Sequence, residues 1–202
     1  MQFKILGPLE AWADGASLDI TAPRQRAVLA ILLIEANRVV SLDHLVDRLY
    51  NGEPPRHAIG SVQAYVSHLR RLLEPNRPPR ALPQVLVSRP SGYTLVVDPL
   101  LFDAACFEAA LSAGRAALAE GRPKVALGEL EEALGLWRGP ALAEFTYEAF
   151  ASPRPPAWRR CASTPLSAAS TSTLPWGIIS WWLPRRSTCS PSTPSGSGSG
   201  PP

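Results

Sequence analysis

Apolar residues recur along the first hundred positions in three helical stripes set between short alternating runs. Leu42, Leu45, Val46, Leu49 and Tyr50 fall at i, i+3, i+4, i+7 and i+8, the cleanest helical period in the chain. Ser41 precedes that stripe as an N-cap and Asn51-Gly52 follows it as a stop. Upstream, Thr21 can cap and Pro23 open a helix running to about Ala36, whose wealth of Ala, Val, Leu and Ile predicts near-complete burial. Downstream, Ala58, Val62, Val66, Leu69 and Leu73 line one side of a helix over residues 56–74, stopped by Glu74-Pro75. Alternation predicts strands near Phe3, Ile5, Trp12, Leu18 and Ile20, with turns at Gly7-Pro8 and Asp14-Gly15, and a short extended piece at Val39-Val40. A hairpin over Val85, Val87, Tyr93, Leu95 and Val97 turns at Ser91-Gly92, where glycine tolerates positive φ. The order is strands, three helices, hairpin.

The helix over residues 56–74 has an unusual outer face. It carries Gly60, Ala64, Ser67, His68 and Arg71, flanked by His57 and Ser61, with Gln63 and Arg70 at the margins. No acid occurs between Arg56 and Arg71. An ordinary solvated face would mix long Glu and Lys side chains. Small residues here admit a close approach of the backbone, and donors surround that approach, which suits a DNA major groove. A basic surface helix is the alternative. The hairpin that follows, with Arg89 near its tip, tilts the reading towards a winged helix on DNA.

Beyond residue 100 the pattern changes to helices alone. Ala105, Phe107, Ala110, Leu111 and Leu118 mark one; Gly121-Arg122-Pro123 breaks it, with Pro123 opening the next. Val125, Leu127, Leu130, Leu134 and Trp137 mark the second, closed by Arg138-Gly139-Pro140. Small residues at Ala109, Ala113, Gly114, Ala117 and Ala126 permit close packing of the pair. The pattern resembles about one and a half tetratricopeptide repeats, which bury their faces only by stacking on further repeats. Charge divides at the same place. Residues 1–100 hold 11 Lys and Arg against 9 Asp and Glu, weakly basic for a DNA binder, so clustering must do what net charge does not. Residues 101–150 hold 4 against 8, which points that segment towards protein rather than DNA.

Several phrases together resemble one family. FKILGPLEAW, APRQRAVLAILL, VSLDHLVDRLYNGEPP, SVQAYVSHLRRLLEP and SGYTLVVD are similar to the OmpR-type winged helix, and closer to the actinobacterial antibiotic regulatory proteins, the SARP family of pathway activators. The stretch from Phe102 to Phe145 resembles the start of the helical activator domain found after the winged helix there. The resemblance covers residues 2 to about 150. It implies base reading by His68, Ala64 and their neighbours Gln63 and Ser67. It implies phosphate contacts from Arg24, Arg26, Tyr65, Arg70 and Arg71, and a wing contact from Arg89. Many relatives carry Arg where this chain has His68, and His cannot make the bidentate pairing with guanine. The implied partners are double-stranded DNA in direct repeats, RNA polymerase, and further copies of the chain on DNA.

Residues 151–202 contain no Asp or Glu, hold 10 of the chain's 22 prolines, and end rich in Ser, Thr and Gly. Composition predicts a disordered tail. Shifting the codons by one nucleotide, with G or C preferred at free third positions, turns parts of this tail into phrases such as RLEALRL and PLRERLWA. Those resemble the family's missing activator helices, which suggests a nucleotide lost near Ala149–Pro153. The expected architecture is α+β: a winged helix over 1–100, an incomplete all-α tetratricopeptide-like segment over 101–150, and a disordered tail, with a protease-resistant core of about residues 1–100.

The remaining expectations are exclusions. The Trp-rich run from Trp176 to Trp182 is too short to span a membrane, and the reading is cytoplasmic, with no membrane partner. Cys106, Cys161 and Cys189 have no metal or disulfide spacing, and His44, His57 and His68 form no HExxH pair, so no cofactor or metal is expected. No phosphate-binding loop occurs, and Asp43 with Asp47 reads as a solvated pair, not acid–base machinery. The expected function is a sequence-specific activator of a secondary-metabolite gene cluster, not an enzyme. A protein-interaction module without DNA binding, or a non-functional truncated product, remains open.

Overall fold

The computed structural model describes residues 1–151. The expectations for the tail, including its disorder, its tryptophans, Cys161, Cys189 and the lost nucleotide, lie outside the described residues.

A three-stranded antiparallel sheet opens the chain: β1 (Gln2–Lys4), β2 (Glu10–Ala13) and β3 (Ala16–Ser17), with Phe3 opposite Ala11 and Trp12 opposite Ser17. Asp14 and Gly15 both adopt positive φ at the β2–β3 turn, as that tight hairpin requires. Helix α1 (Pro23–Ile34) follows and buries every residue from Ala27 to Leu33. Its N-cap is Ala22, one residue past the expected Thr21, and no side chain caps it.

Strand β4 (Val40–Ser41) leads into helix α2 (Leu42–Tyr50). Ser41 Oγ accepts from His44 N at 3.1 Å, and Asn51 closes the helix in the left-handed conformation. Helix α3 (Ala58–Leu73) buries Ala58, Val62, Val66, Leu69 and Leu73, the stripe its sequence predicts. Strands β5 (Leu86–Arg89) and β6 (Gly92–Leu95) form the hairpin, and the second sheet runs β4-β6-β5.

Two details of that hairpin differ from expectation. Leu86 and Leu95 enter the core, while Val85 and Val87 stay half-buried. Gly92 needs no positive φ; it is required because β4 passes directly over it. A Cβ there would stand 2.0 Å from the Val40 carbonyl oxygen and 2.7 Å from Ser41 Cα.

Helices α4 (Asp103–Ala119) and α5 (Pro123–Gly135) pack as an antiparallel pair. Their contact runs through small residues. Ala126 and Ala133 of α5 and Gly114 and Ala117 of α4 are buried, and a Cβ on Gly114 would press on Leu130 at 3.3 Å. The aliphatic residues expected inside, Leu118, Val125, Leu127 and Leu134, are exposed. Trp137 packs edge-on against Phe107, with ring centroids 5.4 Å apart.

The helical pair does not hang from the winged helix by its chain alone. Phe3 bridges in parallel to Phe102. The carboxylate of Asp103 is buried and accepts from Ile5 N and Leu6 N, each at 2.9 Å. Beyond α5, residues 138–150 form a strap. Arg138 N donates to Leu6 O at 2.8 Å and Leu142 N to Ile5 O at 2.9 Å. Arg138 also pairs with Glu10, and Glu144 accepts from Leu9 N at 2.9 Å. At its far end Arg48 of α2 donates to Phe150 O at 3.3 Å. These bonds extend the compact unit expected of residues 1–100 to about residue 150.

Asp103 is the joint of this arrangement. Burial raises its pKa; the Ile5 and Leu6 N–H groups and the Arg138 guanidinium, 3.7 Å away, oppose the rise. A raised folded-state pKa means that this group's contribution is complete below its unfolded value and is lost as pH climbs through the folded one. Asp103→Ala leaves two buried N–H groups without an acceptor, and is expected to cost about 2–4 kcal/mol. Urea unfolding checks this; Asp103→Asn should cost less and abolish the pH dependence that this group contributes.

Candidate nucleic-acid interface

Helix α3 turns its apolar stripe inward, which leaves Gln63, Ala64 and Ser67 exposed on the opposite side. His68 is half-buried beside them. Arg71 Nη2 lies 3.3 Å from His68 Nδ1. A guanidinium can only donate, so Nδ1 accepts and a neutral ring carries its proton on Nε2. His68 is thereby set up as a donor at Nε2. Arg71 itself is exposed.

One edge of this face is built by aromatic residues. Tyr65 is half-buried beside Tyr50, which stands at the end of α2. Burial, then the neighbouring Tyr50, raises the Tyr65 pKa, so its hydroxyl stays protonated. Arg24 lies 5.3 Å over the Tyr50 ring and donates Nη1 to Leu49 O at 2.9 Å. It remains exposed, held in place with its outer edge uncovered. The helical stripe places Tyr50 among the apolar residues of α2; its position at the last turn, where a hydroxyl can reach out, is the signal for its second use.

Arg26, an expected phosphate contact, is engaged within the fold. Its guanidinium donates to Leu9 O at 2.8 Å and Ile20 O at 3.3 Å, and pairs with Glu144 of the strap. Those bonds spend its donors inside the molecule. Arg70 is also engaged: Nε donates to Leu86 O and Nη2 to Ser88 Oγ, both at 2.8 Å. Burial lowers its pKa from the usual arginine value. Arg89, at the end of β5, is exposed, and its guanidinium makes no hydrogen bond or ion pair among the described residues.

The exposed residues thus gather on α3, with Arg24 and Tyr65 at one edge and the Arg89 hairpin held against the last turn of α3 by Arg70. Donors and small residues predominate, and no carboxylate lies on α3. Among the described residues no cluster of His, Cys, Asp or Glu could hold a metal, and no helix is long and apolar enough to cross a membrane.

Comparison with known proteins agrees with this architecture. The family described as transcriptional regulatory protein, C terminal, matches residues 17–95, and the bacterial transcriptional activator domain matches residues 102–172. Transcriptional regulatory protein MoaR1 of Mycobacterium tuberculosis is 40% identical over 145 residues, 71% of this chain and 46% of the relative. Regulatory protein DnrI of Streptomyces peucetius is 34% identical over 150 residues, 71% of this chain and 54% of DnrI. A solved structure of Mycobacterium tuberculosis EmbR, in complex with a low-affinity phosphopeptide, superposes with a TM-score of 0.68 at 40% identity. It covers 74% of this chain and 39% of the EmbR chain. The chain therefore spans roughly half or less of these relatives. The fold and the two family matches define a winged-helix domain joined to a helical segment of the bacterial transcriptional activator domain type. Within that class, the chain belongs to the SARP family of transcriptional regulators.

Proposed function

We propose that this chain is a sequence-specific double-stranded-DNA-binding transcription regulator, acting as a pathway-specific activator of a secondary-metabolite gene cluster. The observation that carries the reading is the outer face of α3. It is free of carboxylates, small in side chain, and bordered by arginines whose positions are fixed by neighbours. In this reading α3 enters the major groove, with Gln63, Ala64 and Ser67 at base edges and His68 donating from Nε2. A single imidazole N–H makes one bond where an arginine would make two, so readout at that base pair is weaker than a bidentate contact would give. Arg24, Tyr65 and Arg71 hold phosphates, and Arg89 reaches the backbone or minor groove from the wing. Arg26 has no part in the contact.

The helical segment and strap would present the regulator to RNA polymerase, with copies bound in tandem on direct repeats. The activator-domain match runs to residue 172, across the point where a lost nucleotide was inferred from the codons. The nucleotide sequence around codons 148–155 tests that inference directly.

Gel-shift titration over a range of salt concentrations tests the DNA reading. Phosphate contacts release counterions, so log K falls linearly with log salt. Arg24→Ala should weaken binding to all sequences alike and reduce that slope by about one. An unchanged slope would remove Arg24 from the interface. Absence of salt-dependent binding in the unmodified chain would favour the interaction-module reading.

A further inference from the structure

We propose that Arg70 is the positioning residue of the wing: it sets the angle between α3 and the β5–β6 hairpin, and so the reach of Arg89, without itself holding a phosphate. This rests on the DNA-binding reading above and refines it.

The geometry is that of a clamp. Arg70 lies in the last turn of α3. Its Nε and Nη2 donate to Leu86 O and Ser88 Oγ, alternate residues of β5. A fork that meets two points along a strand fixes its register as well as its distance, which one ammonium cannot do. The same guanidinium lies 5.6 Å from the ring centroid of Tyr93 on β6, so one side chain engages both strands. Ser88 and Tyr93 are register partners, so those two contacts lie at one level of the hairpin, and the Leu86 contact lies two residues further along it, at the Leu86–Leu95 pair. Partial withdrawal from water strengthens such bonds.

The other side of the hairpin is fixed independently, by the close passage of Gly92 beneath Val40. With Arg70 removed, the hairpin keeps its seat on β4 and loses its brace to α3. Arg89 follows Ser88 directly. Its exposed and unpartnered side chain would feel that loss first.

The full chain tests the proposal in a double-mutant cycle, on a duplex that the unmodified chain selects from a random-sequence pool. Arg70→Ala and Arg89→Ala are each expected to weaken binding by about five- to ten-fold. The double variant should be no weaker than Arg89→Ala within about two-fold, with the same salt slope, because the wing contact can be lost only once. Arg70→Lys should fail to restore binding. Ser88→Ala removes one arm of the clamp at an exposed position and leaves Arg70 in place; it should weaken binding in the parent but not in the Arg89→Ala background, which keeps the test decisive if Arg70→Ala folds poorly. Losses that multiply in the double variant, with a salt slope lower by about one more unit, would show that Arg70 holds its own phosphate and overturn the proposal. A parent chain that selects no duplex would overturn the DNA-binding reading and this one with it.

Discussion

Gly92→Val should unfold the winged helix at temperatures where the parent is native, with Gly92→Ala nearly as damaging. The first side-chain atom of either variant would sit 2.0 Å from the Val40 carbonyl oxygen, and that oxygen belongs to backbone on both sides. Nothing nearby is a flexible side-chain end that could swing away. Relief requires β4 to separate from β6, which breaks the pairs Val40–Tyr93 and Ser41–Gly92 and disturbs the N-cap of α2 at Ser41. Overpacking in a well-packed site costs about 1–3 kcal/mol, and backbone overlap of this depth should exceed that range. Gly15→Ala is the contrast: its φ is +81° but no atom lies within 4 Å, so only backbone strain of about 1 kcal/mol opposes it. Thermal melts of the three variants give the comparison. Equal losses at Gly92 and Gly15 would mean that β4 does not press on the hairpin as described.

Ala64→Glu should abolish specific DNA binding while leaving the fold intact. Ala64 is exposed in the middle of α3, where glutamate is a good helix former, so stability should change by less than about 0.5 kcal/mol. In the groove the same side chain would place a carboxylate among phosphates, and like-charge juxtaposition costs several kcal/mol, about a hundred-fold or more in affinity. Gel shift beside circular dichroism measures both. Retained affinity with an unchanged melt would move the interface away from α3.

The sequence was most legible where one element met one core. The stripes of α2 and α3 emerged because each has a single buried side; Ser41 and Asn51 cap α2 as their chemistry demands. The α4–α5 pair was legible only in part. Phe107 and Leu111, and the small Gly114, Ala117 and Ala126, are buried as their pattern predicts, while Leu118, Val125, Leu127 and Leu134 stand outside. On α5 the contact depends on Ala126 and Ala133, whose value lies in their small size, and a hydropathy stripe that follows large residues selects the wrong side there. Candidate site residues on α3 were legible as exposed positions. The commitments of Arg26 and Arg70 were not: the partners of Arg26 lie 6, 17 and 118 residues away and those of Arg70 16 and 18, and they include backbone carbonyls, which every residue possesses. Asp103 was hidden similarly: its acceptor role depends on Ile5 and Leu6 arriving from the far end of the chain.

The first residues of the chain are, in three dimensions, as much a part of the last described segment as of the helices that follow them. Residues 5–10 receive the strap, Phe3 meets Phe102, and Asp103 grips Ile5 and Leu6. The winged-helix family match begins only at residue 17. A DNA reader exchanged between relatives would therefore transplant most cleanly as residues 17–95, leaving the opening strands with the host's activator segment. Cutting at residue 1 instead would carry off one wall of the joint and leave the strap with a mismatched seat.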